Sequence, residues 1–435
     1  MNQTQRFFTI ARGGIPDRAP FFPDLSTWYQ ASRLGLGAEQ PYFPGQFIPD
    51  DTPLRDLPFN PAAVDSPYRG AGGAEAEAPD PLLEKRLADL SYAGIYREFG
   101  WGLPAHIYDW YDEEYVDGVT KKVVTEGRHR KVTFHTPRGE LQRNYKLDAE
   151  GTWSEYGHMV KELGDLAIVR SLVDHTLRLP RPERVESFLR ATEGFGICDL
   201  VIFRSPFGKL VHEYMGFENV VYALEDDKAA VLDFLAFQED HDLRLIEMAA
   251  KMPGPVVIIS DHADENLISP PWYREYCIPY YRKACEILHK AGKLVSTHLD
   301  GNFKGYFGFI RETGFDILDG CTPAPMFNYE PEELAAASGA SAASGTTGAE
   351  GAEGASSIAA EGSGGSPMTC WCGVPAGLLT IGLPRVEIAD FGERIVRAFK
   401  GRVILNVGDI LPPTGSIASV IALGERAASL EPQRF

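Results

Sequence analysis

The stretch Ser296-Thr-His-Leu-Asp-Gly-Asn302 places His298 and Asp300 two residues apart where a short β-like run stops. If the strand ran on, both side chains would point to one side, so an imidazole and a carboxylate could address one metal or ligand. A satisfied histidine followed by an ordinary Asp-Gly turn gives the same letters. A second loop, Ser260 to Pro270, packs Asp261, His262, Asp264 and Glu265 behind an apolar run. Carboxylates that close raise one another's pKa values unless a cation or hydrogen bonds intervene. The competing reading is a solvated loop whose Asp and Asn residues form turns and cap the next helix.

Cys277 and Cys285 fall on the helix after that loop, where a buried thiol filling core volume is the commoner fate. Cys370 and Cys372 share one strand face, but no second Cys pair stands at zinc-finger spacing. With six cysteines scattered through 435 residues, a disulfide framework is not indicated. There is no G-x-S-x-G elbow, and no glycine-rich loop follows a strand. Serine hydrolase and Rossmann nucleotide chemistry are therefore set aside.

These residues need a scaffold that brings strand ends together. Apolar runs at 19–24, 198–203, 256–260, 293–298, 315–320, 368–374 and 401–407 read as buried parallel strands, with an eighth hidden between Tyr96 and Trp110. Helical patterns at 182–192, 227–251, 271–292 and 384–401 alternate with them. The alternation predicts a single-domain (β/α)8 TIM barrel over 1–435, with an open doubly wound sheet as the alternative. In such a barrel the polar residues after each strand converge: Asp24, Arg204 and Ser205, Asp261 to Glu265, His298 and Asp300, Asp319 and Cys321, Cys372, and Asp409.

Three segments break the pattern. Residues 121–152 read as antiparallel strands turning at Gly127 and at Pro137 to Gly139, a β-hairpin elaboration in the N-terminal half. Arg128, Arg130, Lys131 and Arg138 cluster there and read as a solvated hairpin face. Residues 41–81 lack periodicity and read as an irregular surface excursion. Residues 334–366, almost all Ala, Ser, Gly, Thr and Glu, read as a disordered, low-complexity, flexible insertion.

The formal charge of -19 disfavours nucleic acid and anionic lipid as partners. No early run has the form of a signal peptide, and no stretch approaches the roughly 20 apolar residues of a membrane span. A cytoplasmic protein is expected, and a homodimer is among the assemblies allowed.

Residues 268–325, from "ISPPWYREYC" through "GKLVSTHLDGN" and "ETGFDILDG" to "CTPAP", resemble the uroporphyrinogen decarboxylase superfamily, which includes corrinoid-dependent methyltransferases. "RGGIPDRAPFFPD" (12–24), "HTPRGEL" (135–141) and "VILNVGDILPPTGSIASVIAL" (403–423) are similar to its first-strand entry, hairpin turn and last strand and helix. The resemblance implies a (β/α)8 barrel with a deep site at the carboxyl ends of its strands. Decarboxylases of the superfamily bind substrate carboxylates with an arginine-rich loop. Here that place reads "LSTWYQASR" (25–33), with Trp28 and Tyr29 where guanidinium groups would be wanted.

In the methyltransferase branch, zinc is held by a His-x-Cys and a later Cys. These positions fall on His298, Asp300 and Asp409, so the imidazole is kept and both thiolates become carboxylates. A second spacing known in methyl-ether-cleaving members falls on His262, Cys277 and His298. The resemblance thus implies methyl transfer from a small methylated ether, alcohol or amine to a corrinoid protein. Zinc is expected at His298, with ligands among His262, Cys277 and Asp409. Asp261, Glu265 and Asp300 are the expected catalytic carboxylates, and Asp24, Trp28, Tyr29 and Arg204 the expected substrate contacts. A cofactor-free decarboxylase is the alternative, and a non-catalytic binding barrel the second.

Overall fold

A computed structural model describes residues 1–29, 81–147, 153–340, 367–412 and 414–435. Seven parallel strands lie side by side in chain order: β1 (Leu103–Ile107), β2 (Gly196–Phe203), β3 (Val256–Ser260), β4 (Leu294–His298), β5 (Ile317–Cys321), β6 (Thr369–Gly373) and β7 (Val403–Asn406). The sheet curls until its two outer strands share a neighbour. Pro20 and Phe22 exchange backbone hydrogen bonds with Leu405 of β7, while Phe21 accepts one from Gly102 just before β1. The expected strand at 19–24 is thus reduced to a short bridge, because Pro20 and Pro23 cannot donate to a ladder.

Every residue of β3, β5, β6 and β7 is buried, which is why these runs are uniformly apolar apart from polar residues with partners. Phe22, Ile197, Val256, Ile317, Trp371 and Ile404 form a core cluster of their own, and Ile197, Val256 and Ile317 stand at or beside the starts of their strands. Helix Gln3–Ala11 seats Phe7 in this cluster, 5.5 Å ring to ring from Phe22 and from Trp371. Asn2 starts the helix with a capping box to Gln5. Burying each such side chain contributes about 1.5–3 kcal/mol. That end of the sheet is therefore filled, and the polar residues gather at the other.

Residues Thr120–Glu126, His129–Thr136, Gly139–Leu147 and Trp153–Glu155 form a four-stranded antiparallel sheet; 148–152 lie outside the described residues. The helix expected at 227–251 instead runs from Phe217 to Ala250, broken at Asp227, whose side chain accepts from the Ala230 backbone at 2.9 Å and caps the second half. The low-complexity segment begins inside a helix, Pro331–Ala337, and Leu334, Ala335 and Ala340 are buried. A capping box between Glu330 and Glu333, with Pro331 in the first turn, accounts for that start. Residues 341–366, and nearly all of 41–81, lie outside the described residues.

Candidate metal centre

Strand register builds the centre. Ser260, His298 and Asp319 are paired positions on β3, β4 and β5, so their side chains project to the same side in one row. His298 Nδ1 donates to Asp319 Oδ2 at 2.7 Å, which aims its other ring nitrogen, Nε2, toward Asp300 and Asp409. Asp409 Oδ1 stands 3.4 Å from that nitrogen and Asp300 Oδ2 3.8 Å. Gly320 makes room for the ring: its φ is +73°, and a Cβ there would come within 2.7 Å of His298 Cε1.

His262 enters from the next loop with a left-handed backbone, φ +49°, which histidine tolerates better than most residues. Its amide donates to the His298 carbonyl at 3.2 Å, tying the two loops together. His262 Nδ1 lies 2.5 Å from Asp300 Oδ1, and Nε2 lies 3.4 Å from Ser260 Oγ. The two imidazoles meet edge to face at 4.9 Å. His262, His298 and Asp300 each offer one ligand atom within 4.8 Å of the others.

The remaining expected residues divide. Asp24 is buried beside the row; its amide donates to Asn406 Oδ1 at 3.1 Å, and its carboxylate accepts from the Ser26 amide at 2.8 Å. Asp261 is fully buried, accepts from the Ser205 amide at 3.2 Å and from the Tyr281 hydroxyl, and leaves Oδ1 without a partner among the described residues. Arg204, also left-handed at φ +46°, pairs with Glu213 at 3.3 Å. Trp28 and Tyr29 are fully buried, and Tyr29 packs on Tyr92 at 4.7 Å.

Cys277 is not brought to the imidazoles. It closes a widened helical turn, Tyr273–Cys277, accepts from Ser205 Oγ at 3.6 Å, and its thiol is pushed up by burial. Glu265 is spent on loop structure: its carboxylate accepts from the Gly305 amide and from Asn328 Nδ2, the latter at 2.7 Å.

Three polar residues were not singled out from the sequence. His106 of β1 and Asp199 of β2 are paired positions, and His106 Nδ1 lies 2.9 Å from Asp199 Oδ1, repeating the His298–Asp319 arrangement. Asn406 anchors the Asp24 and Asp409 backbones. An Asp inside the apolar run of β2 was the available signal, because a buried carboxylate needs a partner.

The groups form one electrostatic network. Burial works against the charged form of His298, but Asp409, Asp319 and Asp300 outweigh it and raise its pKa to about 10. His106 is carried to about 10 in the same way, with Asp199, then Asp319 and Asp24, overcoming burial. Burial, reinforced by Asp409, raises Asp24 to about 6 against the pull of His106. Burial and the neighbouring Asp300 and Asp319 also raise Asp409. Asp300 and Asp319 are lowered, since their imidazole partners prevail over burial.

Residues 203–323 match the uroporphyrinogen decarboxylase (URO-D) family. Over that segment the resemblance read from the sequence is borne out. A solved methyltransferase from Methanosarcina mazei is similar across 98% of this chain and 98% of its own, with 12% identity and a TM-score of 0.56, which establishes a shared fold. A B12-independent methionine synthase from Shewanella sp. W3-18-1 covers 78% of this chain and 84% of its own at 10% identity, with a TM-score of 0.37, too distant to carry an argument. No curated protein matches the sequence. No described helix is long and apolar enough to cross a membrane.

Proposed function

Taking residues 203–323 as a URO-D segment on a TIM-like fold, we propose that this chain is a metal-assisted methyltransferase. It moves a methyl group from a small methylated ether, alcohol or amine to a corrinoid carried by a partner protein. The observation that carries the reading is the meeting of His262, His298 and Asp300 within 4.8 Å, at and beyond the ends of β3 and β4.

The donor set fits a divalent cation such as zinc, which takes imidazole and carboxylate ligands. His298, His262 and Asp300 would hold it, with Asp409 as the nearest further ligand. Asp319 supplies the carboxylate that fixes the ring and tautomer of a ligating histidine. Bound there, zinc supplies Lewis acidity toward the heteroatom that carries the methyl group. The corrinoid supplies the nucleophile that no side chain here provides.

The chain's own residues prepare the site. Asp319 holds the His298 ring, and Asp261 holds the start of the β2–α loop through the Ser205 amide. Asp24, raised to about 6, is placed to exchange a proton near neutral pH. The buried Trp28 and Tyr29 are the proposed apolar limit of the substrate pocket, and Arg204 its polar edge.

The test is metal analysis of the purified full chain together with methyl transfer from a panel of methylated substrates to reduced cobalamin. About one zinc per chain, lost in His298→Ala along with turnover, is expected. One observation favours a cofactor-free decarboxylase instead: two buried imidazoles, His106 and His298, are held toward their protonated forms. Metal-free protein that decarboxylates an acidic ring substrate would establish that reading. Neither metal nor turnover would leave a binding barrel.

A further inference from the structure

Between the four-stranded antiparallel sheet, a two-stranded antiparallel pair (Tyr111–Tyr115 with Thr176–Pro180) and the segment after β2 lies a cavity of about 260 Å³ that methyl transfer does not use; His262, His298, Asp300 and Asp409 are absent from its walls. Arg143 and Arg178 both line it. Their ion pairs are loose. Arg143 Nε stands 3.7 Å from Glu155 Oε1 and its Nη2 3.6 Å from Glu213 Oε2, while Arg178 Nε stands 3.6 Å from Glu113 Oε1. These distances are too long for hydrogen bonds, and the Nε–H of each guanidinium is buried with no acceptor among the described residues. Guanidiniums on the surface do better: Arg394 reaches Glu330 and Glu332 at 2.9 and 2.8 Å.

Leaving buried donors unmet is unfavourable, and although Tyr145 and Tyr111 interact with Arg143 and Arg178, the natural acceptor for the two unmet Nε–H groups is an oxyanion. The charges at the cavity agree with this. Lys121, Arg143, Arg178 and Lys209 line it against Glu113 and Glu213, in a chain whose formal charge is -19. Lys209 is already engaged by buried Asp242 and Lys121 is an exposed cation over the Phe134 ring, so the unmet buried donors are the two guanidinium Nε–H groups. The rest of the wall is mixed aromatic and aliphatic: Tyr111, Tyr115, Tyr145, Tyr214, Phe134 and Phe203 present rings, and Val132, Met159, Leu172, Val173 and Leu245 complete it with Thr176. Its volume is near the lower end of small-molecule sites, roughly 300 Å³.

We propose that this cavity binds a small organic carboxylate with a ring-sized apolar body, its oxygens taken by Arg143 and Arg178 and its body by the tyrosine wall. A carboxylate suits the site better than phosphate, because Glu113 and Glu213 penalise a second negative charge and the aromatic wall calls for an apolar body. The site is independent of methyl transfer.

Calorimetric titration of the full chain with benzoate tests it, with benzamide and inorganic phosphate as controls. Benzoate is expected to bind saturably at one site, with benzamide and phosphate about tenfold weaker or worse. Arg178→Gln should weaken benzoate about tenfold, and His298→Ala should leave it unchanged. Because Arg178→Gln could unsettle the fold, crystals soaked in para-bromobenzoate give a second reading, an anomalous bromine peak in the cavity beside Arg143 and Arg178. Absence of saturable benzoate binding, equal binding of benzamide, loss of binding in His298→Ala alone, or bromine found elsewhere would each overturn the proposal.

Discussion

Replacing Asp319 by Asn keeps the size and shape of the side chain and removes the charge behind His298. Asp319 is 4% exposed and its Oδ2 is 2.7 Å from His298 Nδ1, so no water can take over its role without repacking β5. An Asn oxygen can still accept from Nδ1, but it no longer raises the basicity of Nε2, and its amide nitrogen presents the wrong partner if it flips. Changes of this kind behind a ligating histidine typically cost 10–100-fold in metal affinity, or about 1.4–2.7 kcal/mol. The assay is competition for zinc against a chromophoric chelator at fixed pH. Asp199→Asn, the same substitution behind His106, serves as the internal control, because His106 is not among the grouped ligands. The expectation is a loss of at least tenfold for Asp319→Asn and less than about threefold for Asp199→Asn. Equal losses, or an Asp319→Asn affinity within threefold of the parent, would refute the assignment of Asp319 as the residue that orients a metal ligand.

Metal binding should strengthen with pH. The metal-free His298 has a raised pKa of about 10, so it carries a proton throughout the neutral range and that proton must leave. Affinity is then lost as pH falls, by about tenfold per unit between pH 6 and 9; calorimetry in two buffers of different ionisation enthalpy should count about one released proton. Gly320→Ala should destabilise the protein by about 1–3 kcal/mol and weaken zinc binding, since it strains a left-handed residue and pushes a methyl against His298. Urea melts and the same zinc competition check both. Lys209→Met should cost about 3–5 kcal/mol by leaving the fully buried Asp242 uncompensated, and adding Asp242→Asn should recover most of it; paired urea melts read this directly.

The strands that could be read from the sequence are those buried on both faces, where apolar residues run without interruption. Val256–Ser260 matches its expected limits because nothing but burial acts on it. Leu103–Ile107 could only be bracketed, since Pro104 and His106 disguise a strand whose polar residue is paired across to Asp199. The same reason hid half of the centre. His298, His262 and Asp300 stand in loops and strand ends, where polar residues draw attention. Asp199 sits inside a buried strand, and its purpose appears only once register sets it opposite His106. Cys277 has the expected spacing along the chain, but its turn sets the thiol against Ser205 and outside the group formed by His262, His298 and Asp300. Arg143 and Arg178 were invisible for a related reason: nothing in the chain order shows that the antiparallel sheet folds down over the segment after β2.

Charge separates the two chemistries considered for the barrel mouth. Asp24, Asp199, Asp300, Asp319 and Asp409 converge there with His106, His262 and His298. Five carboxylates stand against His106 and His298, the two imidazoles held toward their protonated forms. A substrate bearing several carboxylates would enter against that field, and Trp28 and Tyr29 add no cation to receive it. A divalent cation reverses the account: it lowers the repulsion among Asp300, Asp319 and Asp409 and releases His298 from its proton. The raised pKa values of His298 and Asp409 arise from that same crowding of carboxylates, whose mutual repulsion a divalent cation would screen more completely than protons do.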